Sequence, residues 1–419
     1  MSRLAPVRLP AVVALLFAVT SAILAAGLPS SVAASSATVK SRLAPREPQL
    51  AELKGSDTVA GNWFGSSVAM SGMTAVVGEW RHDDWAGRAC VFTETATGWK
   101  QTAELKGSNT VKGDSFGISV AMSGMTAVVG APNNTDGGRA YVFTKTGTGW
   151  RQVAELRGSD ATGYSFFGSS VAISGATVVI GANNKTDGGR AYVFTKAATG
   201  WKQVAELKGS DTVKNDGFGS SVAISGTTVV VTAVWHGHGL GAAAYVFTKT
   251  ANGWTQVAEL KGSDRAEEFG FSAAVSGTTA IVGAVSETNS AGSAYVFTKA
   301  ATGWTQVAEL KGSDTADGNG FGSSVAIAGT VAVVGAPPIQ AKGAGAAYVF
   351  VKTETGWRRF AELKGSDTVA GDNFGFSVAV SAGVVVGAPG HAKSAGRAYV
   401  FAGPGIMAYL SAGPGIMTY

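Results

Sequence analysis

One unit of about fifty residues is written seven times along this chain, and that repeat restricts the fold more than any other feature. The copy that begins at Phe218-Gly219 continues through Ser220-Ser221-Val222-Ala223-Ile224, Thr228-Val229-Val230-Val231 and Ala244-Tyr245-Val246-Phe247. It closes on Gly253-Trp254-Thr255-Gln256-Val257-Ala258-Glu259-Leu260. The Phe-Gly pair recurs at 64, 116, 167, 218, 269, 321 and 374. Tyr-Val-Phe recurs at 141, 192, 245, 295, 348 and 399, with Cys90-Val91-Phe92 in the first copy. A unit of this kind cannot bury its own apolar face and must stack on copies of itself. Although 419 residues could form two or three domains, the repeat argues for one large one.

Each copy holds four short runs rich in Val, Ile, Tyr and Phe, separated by Gly, Ser, Asn and Thr, which is the pattern of strands and turns. We name them A (Phe-Gly-x-Ser-Val-Ala), B (Val-Val-Gly-Ala), C (Tyr-Val-Phe) and D (Trp to Leu). Strand A, loaded with Gly, Ser and Ala, suits a crowded place near an axis. Strands B and C are apolar on both faces, as in a sheet sandwiched between neighbours. Strand D mixes Gln, Glu and basic residues with apolar ones, as an outer edge does. The expected fold is all-β, a seven-bladed β-propeller of four-stranded blades. The ends are complementary: Gln49 to Leu53 is a D strand with nothing before it, and the last copy (Phe374 to Phe401) lacks its D strand. The N-terminal strand is therefore expected to close the ring.

Composition narrows the partners. Gly is 59 of 419 residues without a collagen period, so the glycines mark turns. The net charge of +5 is not gathered into a basic stripe, which argues against a nucleic-acid partner. The lone Cys90 excludes an internal disulfide framework. Arg3 and Arg8, the apolar run Ala11 to Leu28 and the small residues Val32-Ala33-Ala34 form an export-signal pattern, with a membrane anchor as the rival reading. The expected layout is a signal peptide at 1–34, a linker at 35–47, the propeller at 48–402 and a tail at 403–419 that duplicates Ala-Gly-Pro-Gly-Ile-Met. After signal cleavage no stable membrane insertion is expected, and the chain is read as a secreted, extracellular monomer.

The Phe-Gly openings and the Gly-Ala-Pro ends of strand B (130–132, 335–337, 387–389) resemble the FG-GAP repeat across residues 48–402. That repeat builds the seven-bladed propeller of integrin α subunits and of many secreted bacterial proteins. The resemblance implies an extracellular binding platform, often in adhesion. Integrin-type copies often carry an Asp-rich calcium loop between strands A and B. Here that connection is Ser71-Gly72-Met73-Thr74 or Ser225-Gly226-Thr227-Thr228, with no carboxylate, so the family's calcium sites do not transfer. No cofactor and no metal site are expected.

Function is sought where copies depart from the repeat. The B–C connections vary: blade 1 has Trp80, Arg81, His82, Asp83, Asp84 and Trp85, and blade 4 has Trp235, His236 and His238. Loops on a rigid scaffold concentrate binding residues. Trp80 and Trp85 would offer flat apolar surfaces, with Arg81, Asp83 and Asp84 as polar contacts, to an extracellular protein or glycan. The competing reading is drift in unselected loops. Zinc ligation by His236 and His238 with residues of blade 1 is opposed by their places across the ring. His82 and His391, in adjacent blades, are the better pair, but two ligands do not close a site. Asp114, Asp216 and Asp372 before the Phe-Gly pairs could add a weak cation site. The repeated Lys-Gly-Ser-Asp reads either as a charged ring or as turns in which Ser and Asp bond nearby backbone N–H groups. The Gly-Trp tryptophans at 99, 150, 201, 254, 304 and 357 read either as lectin platforms or as blade packing. Cys90 is expected to be a buried thiol. No catalytic constellation is visible, and no enzyme is expected, though a site assembled from separate blades would not show. The expected function is non-catalytic binding or adhesion through the B–C loop face. A multivalent lectin is the alternative, and an enzyme with a site at the channel mouth the third reading.

Overall fold

The computed structural model describes residues 48–403 apart from 134–135, 185–187, 237–241, 264–267, 286–290, 313–317 and 340–342. The segments expected to form an export signal and a linker, to residue 47, the tail beyond residue 403 and His238 lie outside the described residues.

Among the described residues, twenty-eight strands form seven four-stranded antiparallel sheets, each in the order A-B-C-D from the inside outwards. In blade 4 these are Phe218–Ser225, Thr228–Ala233, Ala243–Thr250 and Gly253–Leu260. Strand B there is buried along its whole length, whereas strand D alternates between exposed and half-buried positions and ends on buried Leu260. Packing between blades explains this. Phe218, Val222, Val231 and Tyr245 of blade 4 form one apolar cluster with Ala172, Val179, Val193 and Leu207 of blade 3.

The last sheet is completed from the other end of the chain. Ser377–Val380, Gly383–Ala388 and Arg397–Ala402 are joined by Gln49–Leu53 as the outer strand. Glu52 pairs with Tyr399 and Leu53 with Ala398, the register in which Glu206 meets Tyr192 and Leu207 meets Ala191 in mid-ring. The seam beyond it is packed like the others: Phe64, Val68 and Val77 of blade 1 cluster with Ala379, Val385 and Val400 of blade 7. The ring is closed by the N-terminal strand, as the complementary ends imply.

The small residues of strand A serve the seams. Ser67 Oγ donates to the Gly117 carbonyl at 2.7 Å, and Ser377 Oγ to the Gly65 carbonyl at 2.8 Å across the closing seam. A Cβ on Gly78 would lie 2.0 Å from the Gly117 carbonyl oxygen, so only glycine fits there. Six of the A–B turns are two-residue hairpins with a positive-φ glycine first, such as Gly72 at 54°, whereas blade 7 turns through Ser381 and Ala382. Each leans on its neighbour: Gly124 N–H donates to Ser71 Oγ, Gly175 to Ser123, and Gly72 to Ser381. This is the structural role expected of a serine repeated in nearly every copy.

Candidate functional site

The B–C connections share a face with the D–A connections, and the two tie adjacent blades together. Gly87, just before strand C of blade 1, bridges to Phe116, the Phe-Gly phenylalanine of blade 2. The same bridge joins Gly138 to Phe167, Gly189 to Phe218, Gly292 to Phe321, Gly345 to Phe374 and Gly396 to Phe64. In blade 1 the loop is a single turn, His82–Trp85, in which Asp83, Asp84 and Trp85 have φ of 50°, 53° and 69°. That left-handed run turns the Asp84 and Trp85 carbonyls towards blade 2, where the N–H groups of Gly113 and Ser115 donate to them at 3.2 and 2.7 Å. Blade 7 repeats the device: Ala392, Lys393 and Ser394 are left-handed, and Gly61 and Trp63 of blade 1 donate to the carbonyls of Lys393 and Ser394. The distinctive loop of blade 1 is therefore also a blade-to-blade joint.

Within that loop the side chains are unequal. Trp80 is 7% exposed and Trp85 is 50% exposed, so only the second offers a free face. The two indoles meet edge to face at 5.4 Å, and Trp63 meets Trp80 in the same way at 5.9 Å. The Arg81 guanidinium lies 4.1 Å from the Trp63 ring, 4.6 Å from Trp80 and 5.4 Å from Trp85. Ring quadrupoles attract the cation there. Burial pulls Arg81 below the usual guanidinium range, and its Nε has no hydrogen-bond partner. Asp83 and Asp84 are exposed, and Asp84 pairs with Lys112 of the next connection at 2.6 Å. Trp63, the nearest ring, went unnoticed in the sequence reading. Its signal was a tryptophan before Phe-Gly in the first copy, where the others have Ser115, Phe166, Gly217, Glu268, Gly320 and Asn373.

Blade 1 also departs from the repeat inside. In blades 3, 4 and 7 the strand C tyrosine donates to the aspartate of Lys-Gly-Ser-Asp or its equivalent: Tyr192 to Asp160, Tyr245 to Asp211 and Tyr399 to Asp367, at 2.6–2.8 Å. Blade 1 has Cys90, fully buried, in that place. The room so left is taken by Arg88, also fully buried, which reaches Asp57, Glu104 at 2.8 Å and Glu79 at 2.5 Å. Glu79 stands where other copies have alanine, and its second oxygen accepts from Asn62 Nδ2 at 2.9 Å. Burial opposes the Arg88 charge, but the Glu79 and Asp57 partners outweigh it and hold the guanidinium above its ordinary range. Burial pushes the Cys90 thiol up to about 12.

The histidines fall into register. His82, His236 and His391 each stand three residues beyond the end of strand B. His236 Nδ1 lies 2.7 Å from Asp216 Oδ2, and its Nε2 lies 3.5 Å from Asp211 Oδ2. His391 repeats this with Asp372 at 2.8 Å and Asp367 at 3.6 Å. In blade 1 the aspartate is replaced by Asn62, whose Nδ2 lies 3.2 Å from His82 Nδ1. His82 and His391 do not form the pair that the sequence suggested; each faces the D–A connection of its own blade. Donor atoms of Asp211, His236 and Glu259 lie within 4.8 Å of one another, as do those of Glu52, Asp367 and His391. The aspartates before Phe-Gly are buried, and Asp114, Asp216 and Asp372 accept from the N–H of Val111, Val213 and Val369, which fixes the D–A turn. Trp235 is half-buried, its indole over Gly217, where a Cβ would meet the ring at 2.3 Å.

Two repeated features prove to be joints. The serine N–H of Lys-Gly-Ser-Asp donates to a glutamine on the next outer strand: Ser56 to Gln101, Ser108 to Gln152, Ser210 to Gln256 and Ser366 to Gln49. The motif's side chains also reach the following blade, Ser210 Oγ accepting from Gln256 Nε2 at 3.0 Å and Asp211 from Tyr245 at 2.7 Å, because the D–A connection crosses its outer edge. The Gly-Trp indoles are half-buried, and Trp150, Trp201, Trp254, Trp304 and Trp357 pack on the apolar clusters. Among the described residues no helix is long and apolar enough to cross a membrane.

Two solved structures are similar to this chain. A chain from the mitotic checkpoint complex superposes with a TM-score of 0.55 at 12% identity, covering 90% of this chain and 99% of that one. Sqt1 of Saccharomyces cerevisiae gives a TM-score of 0.48 at 11% identity, covering 86% and 100%. The first of these shows a shared fold alone. No curated protein sequence matches the chain. The FG-GAP repeat model matches seven times, at residues 48–92, 99–143, 150–194, 201–247, 254–297, 304–350 and 357–401, and the chain belongs to that family.

Proposed function

We propose that this propeller is a non-catalytic extracellular binding protein that engages a protein or glycan through the B–C loop face of blade 1. The observation that carries the reading is Trp85, half exposed on a left-handed turn whose carbonyls are fastened to blade 2. A large aromatic surface held rigid loses little freedom on binding, which is what interface anchors require. Arg81 beneath it and the exposed Asp83 and Asp84 supply polar contacts at its edge. The exposed tryptophan belongs to the blade 1 loop, where blade 7 has Ser394 and blade 4 offers the half-buried Trp235, which favours one ligand per ring over a lectin with equivalent pockets, since the repeated tryptophans pack on the blades.

The test is a glycan array and a pull-down from extracellular material with residues 35–419, each repeated with Trp85→Ala. Loss of the captured ligand in the variant, with the unfolding midpoint kept, supports the reading. Equal capture by the variant rejects it, and several ligands per chain would favour the lectin.

A further inference from the structure

We propose that blade 4 holds a divalent transition-metal site of the zinc class, formed by Asp211, His236 and Glu259, with Asp216 as the positioning residue. The argument begins with the proton on His236. Asp216 is buried, and its Oδ2 lies 2.7 Å from His236 Nδ1. A carboxylate only accepts, so Nδ1 carries a proton and donates. In the neutral ring the lone pair is then on Nε2, and it faces Asp211 Oδ2 at 3.5 Å. That spacing is long for a hydrogen bond. It matches two donors on one tetrahedral metal with bonds of about 2.0–2.1 Å, whose separation is about 3.4 Å. The other Asp211 oxygen accepts from Tyr245, which fixes the carboxylate. A donor atom of Glu259 completes a triangle with all edges within 4.8 Å. A carboxylate behind a histidine that presents its other nitrogen outwards is the usual support of a metal-bound imidazole. Three protein donors on a partly exposed surface leave a fourth position for water or a ligand.

Blade 7 provides an internal comparison. It repeats the donors as Asp367, His391 and Glu52, with Asp372 behind the ring and Tyr399 on Asp367. There the Arg397 guanidinium bonds Glu52 at 2.5 Å, whereas blade 4 has Ala243 at that position. Among the described residues, Glu259 pairs with the exposed Lys261, which takes one oxygen, Oε1, at 2.7 Å. Blade 4 is therefore the tighter site. Both lie on the face opposite the A–B turns, where relatives place calcium. The donors were passed over in the sequence because each carboxylate belongs to the repeat; only the histidine departs from it.

The test is calorimetric titration of the purified chain with zinc, and cobalt absorption as a report on geometry. The expected result is a tighter site lost in His236→Ala and a weaker one lost in His391→Ala, with His82→Ala unchanged. Asp216→Asn should keep the tighter site but weaken it by about 10–100-fold, as loss of such supports does. Arg397→Ala should tighten the weaker one. Glu259→Gln, on the exposed outer strand, should weaken the tighter site even if the histidine variants fold poorly. Absence of saturable zinc binding, or binding that His236→Ala and Glu259→Gln leave intact, overturns the proposal.

Discussion

Arg88 and Glu79 lie fully buried against each other, joined by the Arg88 Nε hydrogen bond at 2.5 Å. Arg88→Met leaves Glu79 buried with only Asn62, and should cost about 3–5 kcal/mol of stability, the range for breaking a buried pair. The double change Glu79→Ala with Cys90→Tyr restores the combination seen as Ala182, Arg190 and Tyr192 in blade 3. There the arginine turns outwards to Glu206 at 2.6 Å. Urea unfolding should find this double variant close to, or above, the parent in stability. Arg88→Met within about 1 kcal/mol of the parent would contradict the burial of the pair.

Closure makes Leu53 equivalent to Leu207, and both are buried. Leu53→Ala and Leu207→Ala should therefore cost similar amounts, about 2–5 kcal/mol each. Deleting residues 48–54 should lower stability far more than deleting 403–419. A Leu53→Ala variant as stable as the parent, beside a damaged Leu207→Ala, would leave the ring open.

Cys90 needs its thiolate to react, and burial holds the thiol up to about 12. Alkylation at neutral pH should be absent in the folded ring and should follow urea unfolding. Labelling of the native protein at the rate of a free thiol would contradict the packing around Arg88.

Burial, and then the bonds to Asp160, Asp211 and Asp367, raise Tyr192, Tyr245 and Tyr399 above their ordinary ionisation. Between the ordinary and the raised values the native ring holds more protons than the unfolded chain, so stability falls as pH rises. The loss should begin near pH 10, the ordinary tyrosine value, and urea midpoints measured across that range should show it. Tyr245→Phe should reduce the slope. A flat profile through alkaline pH would contradict the shared environment of the three tyrosines.

The repeat made the architecture readable because the same residues face the same neighbours seven times. Gly-Trp and Tyr-Val-Phe could be placed on strands from one copy, and Gln49–Leu53 could be assigned to the last blade by what that blade lacked; Phe-Gly opens strand A in blades 3, 4 and 5 but precedes it in blades 1, 2, 6 and 7, where the strand begins at Ser67, Ser119, Ser324 and Ser377. The candidate sites were less legible for the opposite reason. Trp63 and Trp80 are far apart in the sequence but share Arg81, and only the crossing of a D–A connection over blade 1 joins them. Asp211 and Glu259 look like ordinary repeat positions, and gain a distinct meaning only when His236 is added between them. Cys90 was recognised as a buried thiol, yet its small volume mattered more than its sulfur, since it admitted Arg88.

The Trp85 carbonyl accepts from Ser115, and its neighbour Asp84 accepts from Gly113. The residue that would meet a ligand is thus fastened across the junction of two blades. A partner resting on Trp85 covers this joint, so occupancy there should show as slower exchange of the amide protons that cross it. In the loaded ring the Gly113 and Ser115 N–H groups should be better protected than in the empty one, without any change in the rest of its architecture.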